Sequence, residues 1–259
     1  MMVFEFDDNT LTDLPWYIVN PNKTFFKMWQ TTILLMTWIS VVLTPLRIVF
    51  SLLGSEELEQ LLWLAWVTDI SFSADIFVRF LVASPKLRTF SGIAKAYLTG
   101  YFLIDVVTTI TPMVYLQKNQ LINLLKLLRF AHIFEMFLPF KRLIDCTMDG
   151  KIARKRNEMH ELMVLIFSTL LFGHMCTCAW IALGTREEGW ITILQAESSG
   201  DLQFQIYGPW QIYVFASYWV YTVLTTVGYG DYSGYNSQEY VFTILLEFSG
   251  LILFSLLSV

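Results

Sequence analysis

Long apolar stretches alternate with short polar breaks along the whole chain. A membrane helix needs roughly 20 mostly apolar residues to cross about 30 Å of hydrocarbon. Stretches near that length run from Met28 to Leu53, Leu61 to Val82, Tyr97 to Leu116, Leu121 to Leu138 and Leu162 to Leu183. A sixth begins near Tyr240 and is still apolar at Val259, so the polypeptide is expected to continue beyond it. Between the fifth and sixth, Tyr213 to Leu224 is apolar but too brief to span, which suits a re-entrant helix. The pattern predicts an all-α membrane protein of six transmembrane helices with one re-entrant helix and its loop.

Composition strengthens this picture. The 259 residues are 55% hydrophobic and 16% aromatic but only 15% charged, with a mean hydropathy of +0.53. An ordinary soluble domain is less apolar. Lys23, Lys27, Lys86, Arg88, Lys95, Lys141, Arg142, Lys151, Arg154, Lys155 and Arg156 all flank one side of the predicted spans. The other side has only Lys118 and Arg186. Positively charged flanks stay in the cytoplasm, so a multi-pass protein with both termini cytoplasmic is expected. The opposite side carries Glu56, Glu57, Glu59, Glu187, Glu188, Glu197 and Asp201, which attract cations to an outer mouth.

Charge and cysteine content exclude several classes. The net charge of −5 and basic residues held at the inner membrane surface give no nucleic-acid footprint. The acidic start, MMVFEFDDNTLTD, lacks the basic and apolar regions of a secretory signal. Cys176 and Cys178 fall inside the fifth stretch and Cys146 near the inner surface, so all three read as packing residues. No activated nucleophile, soluble carboxylate pair or cofactor loop is present, and the chain reads as a non-enzyme.

The most informative segment is Tyr218-Trp-Val-Tyr-Thr-Val-Leu-Thr-Thr-Val-Gly-Tyr-Gly-Asp231. A potassium ion entering a dry path must exchange its water for equivalent oxygens. The backbone carbonyls of Thr226, Val227, Gly228 and Tyr229, with the Thr226 hydroxyl, could supply successive rings of them around a four-fold axis. Gly228 and Gly230 permit backbone conformations closed to residues with a Cβ, so that consecutive carbonyls can point the same way. The preceding aromatic helix, 213–224, would hold the width of the filter at 225–231 and aim its C-terminal dipole at the ion. A plain turn at Gly228-Tyr-Gly-Asp231 is the bland alternative.

Thr225-Thr-Val-Gly-Tyr-Gly-Asp231 resembles the signature of voltage-gated-type potassium channels. Leu14-Pro-Trp-Tyr-Ile-Val-Asn-Pro21, Phe26-Lys-Met-Trp29 and Thr44-Pro-Leu-Arg47 resemble the first segment, and its approach, in channels that carry a C-terminal cyclic-nucleotide-binding domain. Ala96-Tyr-Leu-Thr-Gly-Tyr-Phe-Leu-Ile-Asp105 with Pro112, and His174-Met-Cys-Thr-Cys-Ala-Trp180, are similar to that superfamily's third and fifth segments. It includes the ether-a-go-go, plant inward-rectifier and cyclic-nucleotide-gated channels. The resemblance covers nearly the whole chain, and its nonselective members usually lack the Gly-Tyr-Gly that is intact here. It implies a homo- or heterotetramer in membrane lipid, potassium ions in the filter, no covalent cofactor, and cyclic-nucleotide modulation through a further C-terminal domain. Tyr218 and Val223 stand where tryptophan and threonine are usual. Tyr218, Trp219, Thr225 and Asp231 would support the filter, the Tyr218 hydroxyl bonding Asp231; an unpaired interfacial tyrosine is the alternative.

The fourth stretch places Asn123, Lys126, Arg129, His132 and Glu135 three residues apart. Basic residues at that interval can step through a membrane field against acids on neighbouring helices. Lys126, Arg129 and His132 are the expected sensing residues, and Asp69, Asp75 and Asp105 the expected countercharges, with Asp75 and Asp105 favoured by the resemblance. Each charge crossing the full field is worth about 2.3 kcal/mol per 100 mV, so two strong charges in each of four subunits give roughly 18 kcal/mol at most. Weak voltage dependence follows, and fixed ion pairs in a packed bundle are the alternative.

Other polar positions take plainer readings. His174, Cys176 and Cys178 cannot all share one helical face, which argues against a metal cluster. Arg47 and Arg79 lie near segment ends and are read as snorkelling. Gly250 is either a hinge or a packing contact. The expected organisation is a cytoplasmic segment at 1–27, a four-helix voltage-sensor-like domain at 28–140, a basic linker at 141–160 and a pore domain at 161–259. Two rivals remain: a weakly selective cyclic-nucleotide-modulated cation channel, and a non-conducting, channel-derived component of a larger membrane assembly.

Overall fold

A computed structural model describes residues 14–21, 23–55, 62–83, 88–115, 125, 128, 150–199 and 207–257. Helices account for nearly all of its regular structure: α1 (Thr24–Leu52), α2 (Leu62–Arg79), α3 (Phe90–Leu98), α4 (Phe102–Tyr115), α5 (Gly150–Gly184), α6 (Trp190–Ser199), α7 (Pro209–Leu224) and α8 (Ser237–Leu257). The β pairing among the described residues is one isolated parallel bridge between Val19 and Val82. By length and composition, Thr24–Leu52 and Leu165–Gly184 can each cross a membrane, and the bent pair Phe90–Leu98 with Phe102–Thr109 would add a third span.

The chain divides into two compact units, one from Met1–Thr44 with Leu61–His160, the other from Pro45–Gln60 with Glu161–Val259. The division inside α1 falls at Pro45, where the missing N–H removes one helical hydrogen bond.

In the first unit, the third apolar stretch is an elbow rather than one straight span. Thr89 caps α3 by accepting from the Gly92 N–H. The helix stops at Thr99, whose hydroxyl donates to the Lys95 and Ala96 carbonyls, and α4 leaves at a bend of 67°. Inside the bend, Phe80, Tyr97 and Phe102 meet edge to face with centroids 4.9, 5.6 and 5.7 Å apart, a favoured arrangement of ring quadrupoles. The Tyr97 hydroxyl donates to Asp105 Oδ2 at 2.6 Å, tying the end of one helix to the first turn of the next. An apolarity window runs through Thr99 and Gly100 unbroken because neither is strongly polar.

The second unit is built on tryptophans. Trp180 of α5 stacks on Trp219 of α7 at 3.9 Å and on Trp190 of α6 at 5.8 Å, with Phe242 of α8 at 5.8 Å. Ile181, Ile212, Ala216 and Val220 complete a core almost closed to solvent. The segment from Gly184 to Gly189 turns sharply, with Glu188 at φ 58°, and delivers Trp190 so close to Gly184 that a side chain there would collide with the indole. No element was expected at α6. Its apolar character is confined to a few residues, of which Trp190 and Ile191 are buried.

α7 begins with Pro209 at its first turn, while the Gly208 N–H donates to Gln211 Oε1 at 2.9 Å. That places a proline where its missing donor is harmless. α7 ends at Thr225, whose hydroxyl returns to the Tyr221 carbonyl at 2.7 Å. α8 passes the end of α7 at Gly250, where a Cβ would stand 2.7 Å from the Leu224 carbonyl oxygen. Glycine at 250 is therefore a close-packing residue.

Candidate functional site

Beyond α7 the backbone leaves the helix in an unusual sequence of conformations. Thr226 has φ 61°, Gly228 φ 49° and Gly230 φ 74°, while Val227 and Tyr229 between them are not left-handed. Alternating handedness turns successive peptide planes so that carbonyls on neighbouring residues face one side instead of opposite sides. Space is not what demands glycine, since a Cβ at 228 or 230 meets nothing within 4 Å; the positive φ demands it. Thr226 adopts the same region with a β-branched side chain, an outlier of the kind held at functional sites. The Val227 and Gly228 N–H groups both donate to the Thr222 carbonyl, at 2.9 and 3.1 Å, anchoring the start of the loop to α7.

The side chains behind this loop interlock. The Trp219 indole donates to the Tyr232 carbonyl at 2.9 Å. Tyr218 stacks parallel to Tyr229, centroids 6.3 Å apart, and meets Tyr232 edge-on. The Tyr218 phenol also lies within electrostatic reach of the Asp231 carboxylate. Asp231 Oδ1 accepts from the Tyr232 N–H at 3.2 Å. Burial and that carboxylate both raise the Tyr232 phenol above its ordinary value, so it stays protonated. Val227 and Tyr229 are exposed.

His174 is engaged within its own unit. Its Nδ1 meets the Tyr213 hydroxyl at 2.8 Å and its Nε2 the Cys178 thiol at 3.9 Å.

The expected countercharges lie in the first unit. Asp69 is fully buried. Asp75 accepts from the Trp29 indole at 2.9 Å and from Arg79 Nε at 2.7 Å. Asp105, bonded to Tyr97, lies 3.9 Å from the same Arg79 nitrogen. Arg79 is thus not a snorkelling residue: its side chain is only 26% exposed and sits between two carboxylates that are 13% and 11% exposed. The i, i+4 spacing from Asp75 already provides for that pair, and the bend between α3 and α4 adds the second acid. Lys126, Arg129 and His132 lie outside the described residues.

An Arg79→Gln variant leaves Asp75 and Asp105 without this cation. It is expected to destabilise the first unit by about 1.5 to 3 kcal/mol, the range for hydrogen bonds to charged groups, read as a lower midpoint of thermal unfolding in detergent. Adding Asp75→Asn is expected to restore part of the loss, because it removes one of the two facing charges.

Sequence reading overlooked Glu239. It is completely buried, with Oε1 accepting from the Trp190 N–H at 2.9 Å and Oε2 from the Tyr235 N–H at 2.8 Å. Its own N–H donates to Asn236 Oδ1 at 3.0 Å. The available signal was Asn236 followed three residues later by a glutamate before an apolar run, a helix-start pattern.

The chain matches the ion transport protein family over residues 26–258. It is 27% identical to the potassium channel GORK of Arabidopsis thaliana, over 88% of this chain and 29% of that protein. It is 28% identical to the Arabidopsis potassium channel AKT2/3 over 95% of the chain and 31% of the relative. Against the voltage-gated inwardly rectifying potassium channel KCNH2 of Canis lupus familiaris it is 26% identical, over 89% of the chain and 21% of the relative. The chain therefore spans less than a third of the length of these curated relatives. The resemblance read from the motifs and the assignment outside the enzymes agree with these matches. Helical in nearly all the regular structure of its described residues and matched by this family over most of its length, the chain belongs to the ion transport protein family.

Proposed function

We propose that the chain is the subunit of a tetrameric, potassium-selective channel, with Thr226, Val227, Gly228, Tyr229 and Gly230 as its selectivity filter. The observation that carries this reading is the left-handed backbone at Thr226, Gly228 and Gly230, with other conformations between. Rings of carbonyls from four such loops replace the water shell of a dehydrated potassium ion. Tyr218, Trp219, Thr225 and Asp231 brace the loop from behind. The exposure of Val227, Tyr229, Ile244, Leu245, Phe248, Leu251 and Ile252 fits a surface covered by neighbouring subunits or lipid.

The finer features belong to the same proposal. Six membrane-spanning helices with α7 as a re-entrant pore helix place both termini in the cytoplasm. Lys126, Arg129 and His132 sense voltage weakly, against Asp69, Asp75 and Asp105. Arg79 already neutralises part of that acidic site, which lowers the work a moving charge gains on reaching it. Cyclic-nucleotide modulation would act through a further domain.

The test is reconstitution of the purified protein into a planar bilayer with unequal potassium and sodium on the two sides. Single-channel currents are expected to reverse near the potassium equilibrium potential. A reversal midway between the two ions would make the pore weakly selective, and the absence of current from correctly assembled tetramers would point to the structural subunit instead.

A further inference from the structure

Glu239 is a carboxylate sealed from solvent, and the ion path has no use for it. Its two oxygens do separate jobs. Oε1 takes the N–H that opens α6 and Oε2 takes the N–H of Tyr235, in the turn that brings the loop back to α8. One side chain therefore pins two backbone segments, 190 and 235, to the first turn of a third. The approach is close: a Cβ at Gly234 would stand 2.9 Å from Glu239 Cβ. The helix N-terminus favours the negative charge, and each bond is charge-assisted and hence stronger than a neutral one.

Both pinned segments lead to the loop at 226–231. From Trp190 the path runs through stacked indoles, Trp190 on Trp180 and Trp180 on Trp219, reinforced by the Trp190 Nε1 bond to the Trp180 carbonyl at 3.1 Å. Trp219 then holds the Tyr232 carbonyl. From Tyr235 the path is the backbone itself, back to Tyr232 and Asp231. The two routes meet at Tyr232, which packs edge-on against Tyr218, the ring stacked on Tyr229.

We propose that Glu239 is a positioning residue for the filter: it fixes the outer turn and α6 so that Tyr232 and the residues before it keep their alternating backbone. The proposal rests on the reading of 226–230 as the filter for its consequence in conduction, but not for its structural content. Glu239→Gln isolates the property at issue. Glutamine has nearly the same shape and one acceptor oxygen where the carboxylate has two. Its NH2 must then face either the Trp190 or the Tyr235 N–H, a donor against a donor, in a site without water.

Amide hydrogen exchange on the assembled full chain in detergent tests this directly. In Glu239→Gln the amides of Trp190 and Tyr235 are expected to exchange at least about tenfold faster, the factor that 1.4 kcal/mol of lost protection represents. The increase is expected to extend into residues 226–231. In bilayers the same variant is expected to enter a non-conducting state several-fold faster, with high external potassium slowing the loss. Asn236→Ala, which removes the cap on the Glu239 N–H and the Asn236 Nδ2 bond to the Glu188 carbonyl but neither partner of the carboxylate, should leave exchange at 226–231 unchanged. Faster exchange confined to 190–199 and 232–239, or equal loosening of 226–231 in Asn236→Ala, would overturn the proposal. If Glu239→Gln does not assemble, Glu239→Asp keeps both acceptors on a shorter arm. An unchanged rate at 226–231 in that variant refutes the idea as well. Should the wild type carry no current, the filter reading fails while the exchange measurement still decides the role of Glu239.

Discussion

Gly228→Ala is expected to abolish potassium flux from protein that still folds and assembles. Gly228 sits at φ 49° with nothing of its own chain within 4 Å of an added Cβ, so alanine meets no collision within the subunit. What it meets is a backbone penalty. Holding an L-residue in the left-handed region costs roughly 1 to 2 kcal/mol, and in the proposed tetramer four subunits raise that to roughly 4 to 8 kcal/mol for the ring. At 1.4 kcal/mol per factor of ten, the population with all four loops in register falls by about three to six orders of magnitude. The relaxed alanine turns its peptide plane, and one ring of carbonyls leaves the axis. Thr226 already carries this penalty at φ 61°, so the loop holds little reserve against a second one. Flux into liposomes loaded with potassium, with assembly monitored by cross-linking, checks the expectation. Undiminished flux would remove the alternating backbone as the basis of the filter.

Trp180→Ala is expected to be the most destabilising single change in the second unit. The indole is 1% exposed, stacks near-parallel on two other indoles and also contacts Phe242. Truncating a buried tryptophan to alanine costs about 3 to 5 kcal/mol, through lost contacts and the cavity left behind. Aromatic pairs add about 0.5 to 1.5 kcal/mol each beyond area burial, and three are lost together. The expected result is a large fall in the midpoint of thermal unfolding in detergent and poor recovery of assembled protein. Trp180→Phe, which keeps a ring in the stack, should recover part of the loss. A midpoint within a degree or two of wild type would mean that the three-indole stack contributes little to holding α5, α6 and α7 together.

Much of this architecture was legible in one dimension because bilayer thickness sets segment length. α1 and α2 begin and end within a few residues of the apolar stretches that predicted them, α8 begins within a few residues of Tyr240, and 213–224 lies inside α7. The positive φ at Gly228 and Gly230 was legible because glycine alone takes that backbone without penalty. Thr226 was the exception: no propensity rule anticipates a β-branched residue at positive φ, which is imposed by the loop around it. Arg79 was misjudged because position along a segment says how far a side chain is from the segment's end, not which acids the fold brings beside it. Trp190 and Glu239 escaped for a related reason. Each acts on residues some 10 to 50 positions away along the chain, and local periodicity carries no information at that distance.

The contact at Gly250 has a mechanical consequence. With a Cβ there only 2.7 Å from the Leu224 carbonyl, the two backbones touch without any side chain to cushion them. Side chains absorb small displacements by changing rotamer, whereas backbone against backbone behaves as a rigid bearing. A rotation of α8 about that point leaves the end of α7 undisturbed, but a lateral shift of α8 there pushes directly on Leu224, and Thr225 and Thr226 follow it. Pivoting and sliding of the same helix would therefore have different effects on the start of the 226–231 loop, one silent and the other coupled.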